Sequence, residues 1–246
     1  MNPIDVVLIL AFAVVWPAYG ARTAGPALKR AVAAGLEGAR VKGYWDMILE
    51  QWTFSALALA SVITAGRTLE ELRLLPPSGV GLAVSVVAIV LVAVFFAWQS
   101  RQAFGSAAGL EALRRQLEPL EWFMPHGRRE RTSFRAVSVT AGVCEEWFFR
   151  GYMLAILTPL LGLVWAVVAS TLVFGLAHAY QGPTGIVRTG LVGLLMAGLA
   201  VFTGSLWAPI VVHALVDWIQ GDMVARVLEE QAPVAPAASE PIALQA

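Results

Sequence analysis

Charge is what this sequence has least of. Only 14% of its 246 residues are Asp, Glu, Lys or Arg, while 58% are hydrophobic and the mean hydropathy is +0.71; a soluble domain carries roughly 25% charged residues. That deficit excludes an ordinary water-soluble globule and points to lipid. Positive and negative side chains balance to a formal net charge of zero, with a pI of about 6.8. The broad basic surface that nucleic-acid binding requires is therefore missing, and no nucleic-acid partner is expected. The single cysteine, Cys144, has no partner for an internal disulfide and is expected to act as a small buried apolar residue. There is no internal repeat. The opening Met1-Asn2-Pro3-Ile4-Asp5 lacks the basic residues of a signal peptide, so the apolar run that follows to Ala21 reads as a retained first span.

Long uncharged runs are what the sequence has instead: Gly79 to Trp98, Gly151 to Ala177 and Thr189 to Val212. Crossing a hydrocarbon core about 30 Å thick takes roughly 20 apolar residues in a helix, because lipid offers the backbone no hydrogen-bond partner. Hydropathy windows predict spans near 4–21, 44–66, 79–100, 133–157, 160–181, 184–203 and 206–227. The expected fold is all-α, a polytopic membrane helix bundle of about seven transmembrane helices. The turn signals Thr158-Pro159 and Gly204-Ser205 divide the longest runs. Asp46 and Glu50 make the second span the weakest, leaving only Trp52 to Gly66 uncharged, while Tyr44, Trp45 and Trp52 suit the headgroup boundary.

Basic residues in the short loops set the orientation. Segment 22–43 carries Arg22, Lys29, Arg30, Arg40 and Lys42, and segment 101–131 carries Arg101, Arg114, Arg115, Arg128, Arg129 and Arg131, so both are expected on the cytoplasmic side. Odd-numbered spans then run from outside to inside, and the chain ends inside. Leu110, Leu113, Leu117 and Leu120 recur at helical spacing among charges, predicting an amphipathic helix in the second of these loops. Gly193 and Ala197, one turn apart, allow close approach of a neighbouring helix. Three parts follow: N-terminal spans with cytoplasmic basic loops over 1–131, a helical core over 132–228, and a disordered tail over 229–246, rich in Pro and Ala.

Between residues 132 and 228 the only Asp, Glu, Lys and Arg are Arg135, Glu145, Glu146, Arg150, Arg188, Asp217, Asp222 and Arg226. A charge at the centre of a membrane helix costs roughly 2.5–3.5 kcal/mol on insertion scales, so such residues face a cavity or one another. Adjacent on a helix, Glu145 and Glu146 point about 100° apart. Glu146 precedes Arg150 by four residues, the favoured order for a pair on one face, which leaves Glu145 free as a general base or metal ligand. His178 follows Phe174 by four residues and His213 precedes Asp217 by four, each pair on one face of its span, whereas His126 lies in the basic loop. One carboxylate and two imidazoles from three helices suit water attack on a peptide carbonyl. They do so either around zinc, with Glu145, His178 and His213 as ligands, or with Glu and His acting as base.

Glu145-Glu146-Trp147-Phe148-Phe149-Arg150 matches an E-E-x-x-x-R motif, Phe174-Gly175-Leu176-Ala177-His178 an F-x-x-x-H motif, and His213-Ala214-Leu215-Val216-Asp217 an H-x-x-x-N/D motif. In this order, on three separate spans, they resemble those of the CAAX protease and bacteriocin-processing family of intramembrane metalloproteases. The resemblance covers about residues 132–220. It implies a multi-pass peptidase of the cell membrane, with its site open to the cytoplasm, acting on a peptide or protein that is lipidated or not. By that analogy Glu145 and His178 activate water, His213 and residue 217 contact the oxyanion or complete a zinc site, and Glu146, Arg150 and Phe174 support them. Asp217 departs from the Asn usual in prenyl-protein peptidases; an ionised Asp only accepts hydrogen bonds, which weakens an oxyanion role. A non-catalytic immunity or scaffold protein is the competing reading. A proton-relay transporter would need two related halves, which the sequence lacks.

Overall fold

A computed structural model describes residues 3–229, and among them there are helices and turns but no strand. The helices are α1 (Pro3–Ala33), α2 (Ala39–Thr64), α3 (Gly79–Phe104), α4 (Ala107–Leu117), α5 (Gly127–Glu146), α6 (Leu154–Leu161), α7 (Leu163–Ala177), α8 (Gly182–Thr203) and α9 (Trp207–Glu229). A π-helical segment, Trp147–Met153, joins α5 to α6 without a break. Four of the described helices, α1, α2, α3 and α8 with the short turn before it, are long and apolar enough to cross a membrane. Of the others, α5, α6, α7 and α9 occupy the remaining expected spans and α4 lies in the second basic segment; α5 and α9 carry most of the charged groups of those spans, and α7 is 15 residues long. Val80, Val87, Leu91 and Val94 of α3 are each more than half exposed, an apolar stripe that suits acyl chains and that a soluble monomer would not present. The fully buried core instead gathers Phe148, Phe149, Tyr152 and Met153 with Phe174 of α7. These features support an integral membrane helix bundle.

Several boundaries differ from the expectations. Helix α1 runs on to Ala33, through part of the first basic segment. It widens into π turns at Ala11–Val15 and Gly20–Ala24, just before Pro17 and Pro26. A proline has no N–H for the carbonyl four residues back, and the wide turns absorb those unmatched carbonyls. The break expected at Thr158-Pro159 falls at Gly162 instead. Pro159 lies inside α6, where it removes a single donor near the helix end. The reversal is made by Gly162 at φ 77°, a left-handed value that glycine adopts without a Cβ clash. The expected turn at Gly204-Ser205 is present, with Gly204 at φ 65°.

The amphipathic helix forms as α4, capped by Ser106, whose Oγ accepts the Gly109 N–H at 3.0 Å. Its Leu113 packs with Phe96 and Ala103 of α3 and Met223 of α9, so that side faces protein. The expected disordered tail lies outside the described residues except for Glu229, which ends α9.

Candidate active site

Two helix arms bring the first pair of candidate residues together. Glu145 lies 17 residues before the reversal at Gly162 (162 − 145) and His178 lies 16 after it (178 − 162). At about 1.5 Å per residue both stand roughly 25 Å from the turn. Measured from the start of α5 the two depths do not match; measured from the hairpin they do. Glu145 Oε2 is 3.9 Å from His178 Nε2, and both side chains are mostly buried, at 17% and 15% exposed.

His178 caps its own helix. Its backbone N–H bonds to Gly175 O, at 3.1 Å, rather than to Phe174 O, which leaves the Phe174 carbonyl for the His178 ring: Nδ1 lies 2.9 Å from it. A carbonyl can only accept, so Nδ1 carries a proton, and Nε2 is the ring nitrogen that faces Glu145. The Phe174 ring packs on His178, with centroids 4.9 Å apart, and lies 6.1 Å from that of His213. Phe174 thus holds one imidazole through its backbone and borders both through its ring.

Glu146 points away from Glu145, as adjacency on a helix requires, and is fully buried. Its Oε1 accepts from Arg150 Nη1 at 2.9 Å and contacts His213 Nδ1 at 2.8 Å. Arg150, also fully buried, donates Nη2 to the Gly193 carbonyl at 2.8 Å and stacks over Phe174, 4.2 Å from its centroid. Close helix approach makes these contacts possible. A Cβ on Gly193 would lie 2.6 Å from the Phe174 ring and 3.0 Å from Arg150 Nη2, and one on Gly142 of α5 would lie 2.8 Å from Ala214 Cβ and from Ile210 O of α9. Glycine at 142 lets α9 settle against α5 and sets His213 beside Glu146. With Nδ1 engaged there, His213 Nε2 lies 3.6 Å from Asp217 Oδ2, longer than a good hydrogen bond. Asp217 is the most open of the four, its side chain 38% exposed. The four expected groups are thus brought into one cluster, Glu145 with His178 and Asp217 with His213, with the Phe174 ring bordering both imidazoles and Glu146 and Arg150 behind.

One member of the cluster was not expected. Gln51 of α2 donates Nε2 to Glu145 Oε1 at 3.1 Å, so the N-terminal half reaches the site. The only sequence signal is a polar amide beside Glu50 in the weakest of the expected spans. Glu145 Oε2, by contrast, is buried and accepts no hydrogen bond. His126 takes no part. It begins α5, where its N–H bonds to Glu130 Oε2 at 2.7 Å, and burial, with the Arg40 charge beside it, holds its imidazole below the ordinary value. Cys144 is buried, as its apolar setting implies.

Among the described residues no three of His, Cys, Asp and Glu are gathered as ligands for a metal ion. Glu145, His178 and His213 each keep one donor atom free of hydrogen bonds, Oε2 and the two Nε2 atoms, because the Phe174 carbonyl and Glu146 engage the Nδ1 atoms; His213 Nε2 is turned toward Asp217. They are not gathered into a ligand set, so zinc, were it bound, would need them drawn together.

Residues 131–219 match the family model of the Rce1-like type II CAAX prenyl endopeptidases, consistent with the CAAX protease and bacteriocin-processing family. The matched stretch contains all three motifs and supports a CAAX-protease-like intramembrane peptidase. No curated protein and no solved structure matches the chain.

Proposed function

We propose that the protein is an endopeptidase that cleaves peptide bonds at the cytoplasmic face of the cell membrane, with Glu145 as the general base. The carrying observation is the asymmetry of that carboxylate. Oε1 is fixed by Gln51, while Oε2 is buried, without a hydrogen bond, and 3.9 Å from a histidine nitrogen. A buried acceptor left unmatched costs about 1–3 kcal/mol, and a water held between Glu145 and His178 Nε2 would satisfy it. Glu145 takes a proton from that water as its oxygen attacks the substrate carbonyl carbon. His213, its ring oriented by Glu146 at Nδ1, faces the developing oxyanion with a protonated Nε2, and Asp217, 3.6 Å from that nitrogen, supports the imidazolium charge. Glu145 then passes the proton to the leaving nitrogen as the C–N bond breaks, giving a carboxylate and an amine.

The cytoplasmic assignment is supported by what surrounds the site. Tyr180, two residues past His178, packs on Phe123 at 6.0 Å, and Arg40 donates to the Trp122 carbonyl at 3.1 Å. These contacts belong to the two basic segments whose composition favours the cytoplasm.

The test is cleavage of a library of unlipidated and prenylated peptides by purified protein, with metal analysis of the same sample and Glu145→Gln as control. Cleavage that disappears in the variant, while the protein stays folded, is the expected result. A variant that cleaves as well as the parent overturns the role of Glu145. Stoichiometric zinc, with activity lost to a chelator, overturns the metal-free route.

A further inference from the structure

A cavity of about 650 Å³ lies between α1 and α2, and its walls include both Ala177 and Tyr180, the residues that bracket His178. Trp16, Tyr19, Leu28, Met47, Trp122 and Phe123 make it largely apolar. Its volume falls within the range of about 300–1,000 Å³ typical of ligand sites. Glu37, Asp46 and Glu50 also line it, against Lys42 as the only cation among the lining residues.

Asp46 and Glu50 are the two acids that interrupt the second span, and nothing in the proposed chemistry uses them. Ionisable residues in a membrane helix face a cavity when they are functional, and these two, one turn apart, share the face of α2 that borders this one. Asp46 is exposed and neutralised by Lys42 at 2.6 Å. Glu50 is half-buried and has neither a hydrogen bond nor an ion pair among the described residues. Next to it in the chain, Gln51 holds Glu145 on the neighbouring face. The cavity thus runs alongside the candidate catalytic groups and carries an uncompensated negative charge on its wall.

We propose that this cavity holds an apolar stretch of the substrate peptide and that Glu50 selects substrates in which a lysine or arginine adjoins that stretch. The inference rests on the peptidase reading and names the substrate class for it. An apolar lining accepts apolar side chains, and a lone carboxylate beside them favours a cation and repels an anion. A basic side chain also reaches Glu50 through its own methylene stem while the apolar stretch stays seated.

The experiment measures binding separately from cleavage. Dye-labelled peptide amides with one common leucine-rich stretch, followed by Lys, Gln or Glu, are titrated onto the full chain in phosphatidylcholine nanodiscs, with empty nanodiscs subtracted. The Lys peptide is expected to bind about fivefold more tightly than the Gln peptide, the scale of one partly exposed ion pair. The Glu peptide is expected to bind more weakly than either. Glu50→Gln, which removes a charge and keeps the shape, should abolish the order, and Glu50→Lys should reverse it. Equal affinities of the three peptides, or an order that survives Glu50→Gln, overturn the proposal. Cleavage of the same peptides is scored in parallel. Charge-ordered binding without cleavage removes the peptidase reading and leaves the cavity selective, whereas cleavage without charge order does the opposite.

Discussion

Two buried carboxylates rest against α2, roughly 15 Å apart along it by the spacing of Gln51 and Ser61, and they are built to opposite ends. Asp5 of α1 is 2% exposed, and its Oδ1 accepts from Ser61 Oγ at 2.6 Å and Tyr152 Oη at 2.8 Å. This node ties α1, α2 and the π segment into one unit. Glu145 has a firm hold on one oxygen only and leaves the other facing His178. A carboxylate whose hydrogen bonds are met by its own fold is a fastener. One kept short of partners retains its capacity for a reacting molecule. Glu146, one residue from Glu145, lies between the two: Arg150 and His213 both engage its Oε1, while its Oε2, like that of Glu145, is buried without a hydrogen bond.

The contrast can be broken from either side. The largest effect is expected from Arg150→Met, which strands Glu146 in the core and should cost about 3–5 kcal/mol of stability, read from unfolding in mixed detergent micelles; a loss below about 1 kcal/mol would mean that the pair is not a fastener. Glu145→Gln should lower kcat about 10³-fold with unfolding close to the parent's, and a matching loss of stability would place Glu145 with the fasteners. Tyr152→Phe is the mirror experiment: about 1.5–3 kcal/mol of stability lost, the worth of a hydrogen bond to a charged group, with peptide cleavage at the parental rate. The smallest effect belongs to Gln51→Leu. Freeing one oxygen of the base should lower kcat about tenfold and cost about 1 kcal/mol of stability, with KM unchanged; a change in KM alone would make Gln51 a substrate contact.

Local rules made half of this legible. The Glu146–Arg150 pair follows from spacing of four on a helix, α4 from its leucine period, and the reversal at residue 204 from a glycine. Relations across the chain were not legible in the same way. Nothing near Gln51 announces that it meets Glu145, 94 residues on, and Asp5 looks like an ordinary first-turn acid until Tyr152 is set beside it. Proline at 159 and glycine at 162 both signal a turn, and only packing decides between them. The expected zinc ligands follow from residue types, whereas the partners that fix each ring, the Phe174 carbonyl for His178 and Glu146 for His213, carry no signature in the sequence.

The hairpin at Gly162 acts as a ruler for the chemistry. Its two arms, 17 and 16 residues long, carry a carboxylate and an imidazole to the same level from a common zero. Lengthening one arm by a single residue would lift its reactive group by about 1.5 Å and swing it through about 100°, enough to turn Glu145 or His178 out of register with the other. The lengths of these two helices are therefore as much a part of the candidate centre as the side chains at their ends.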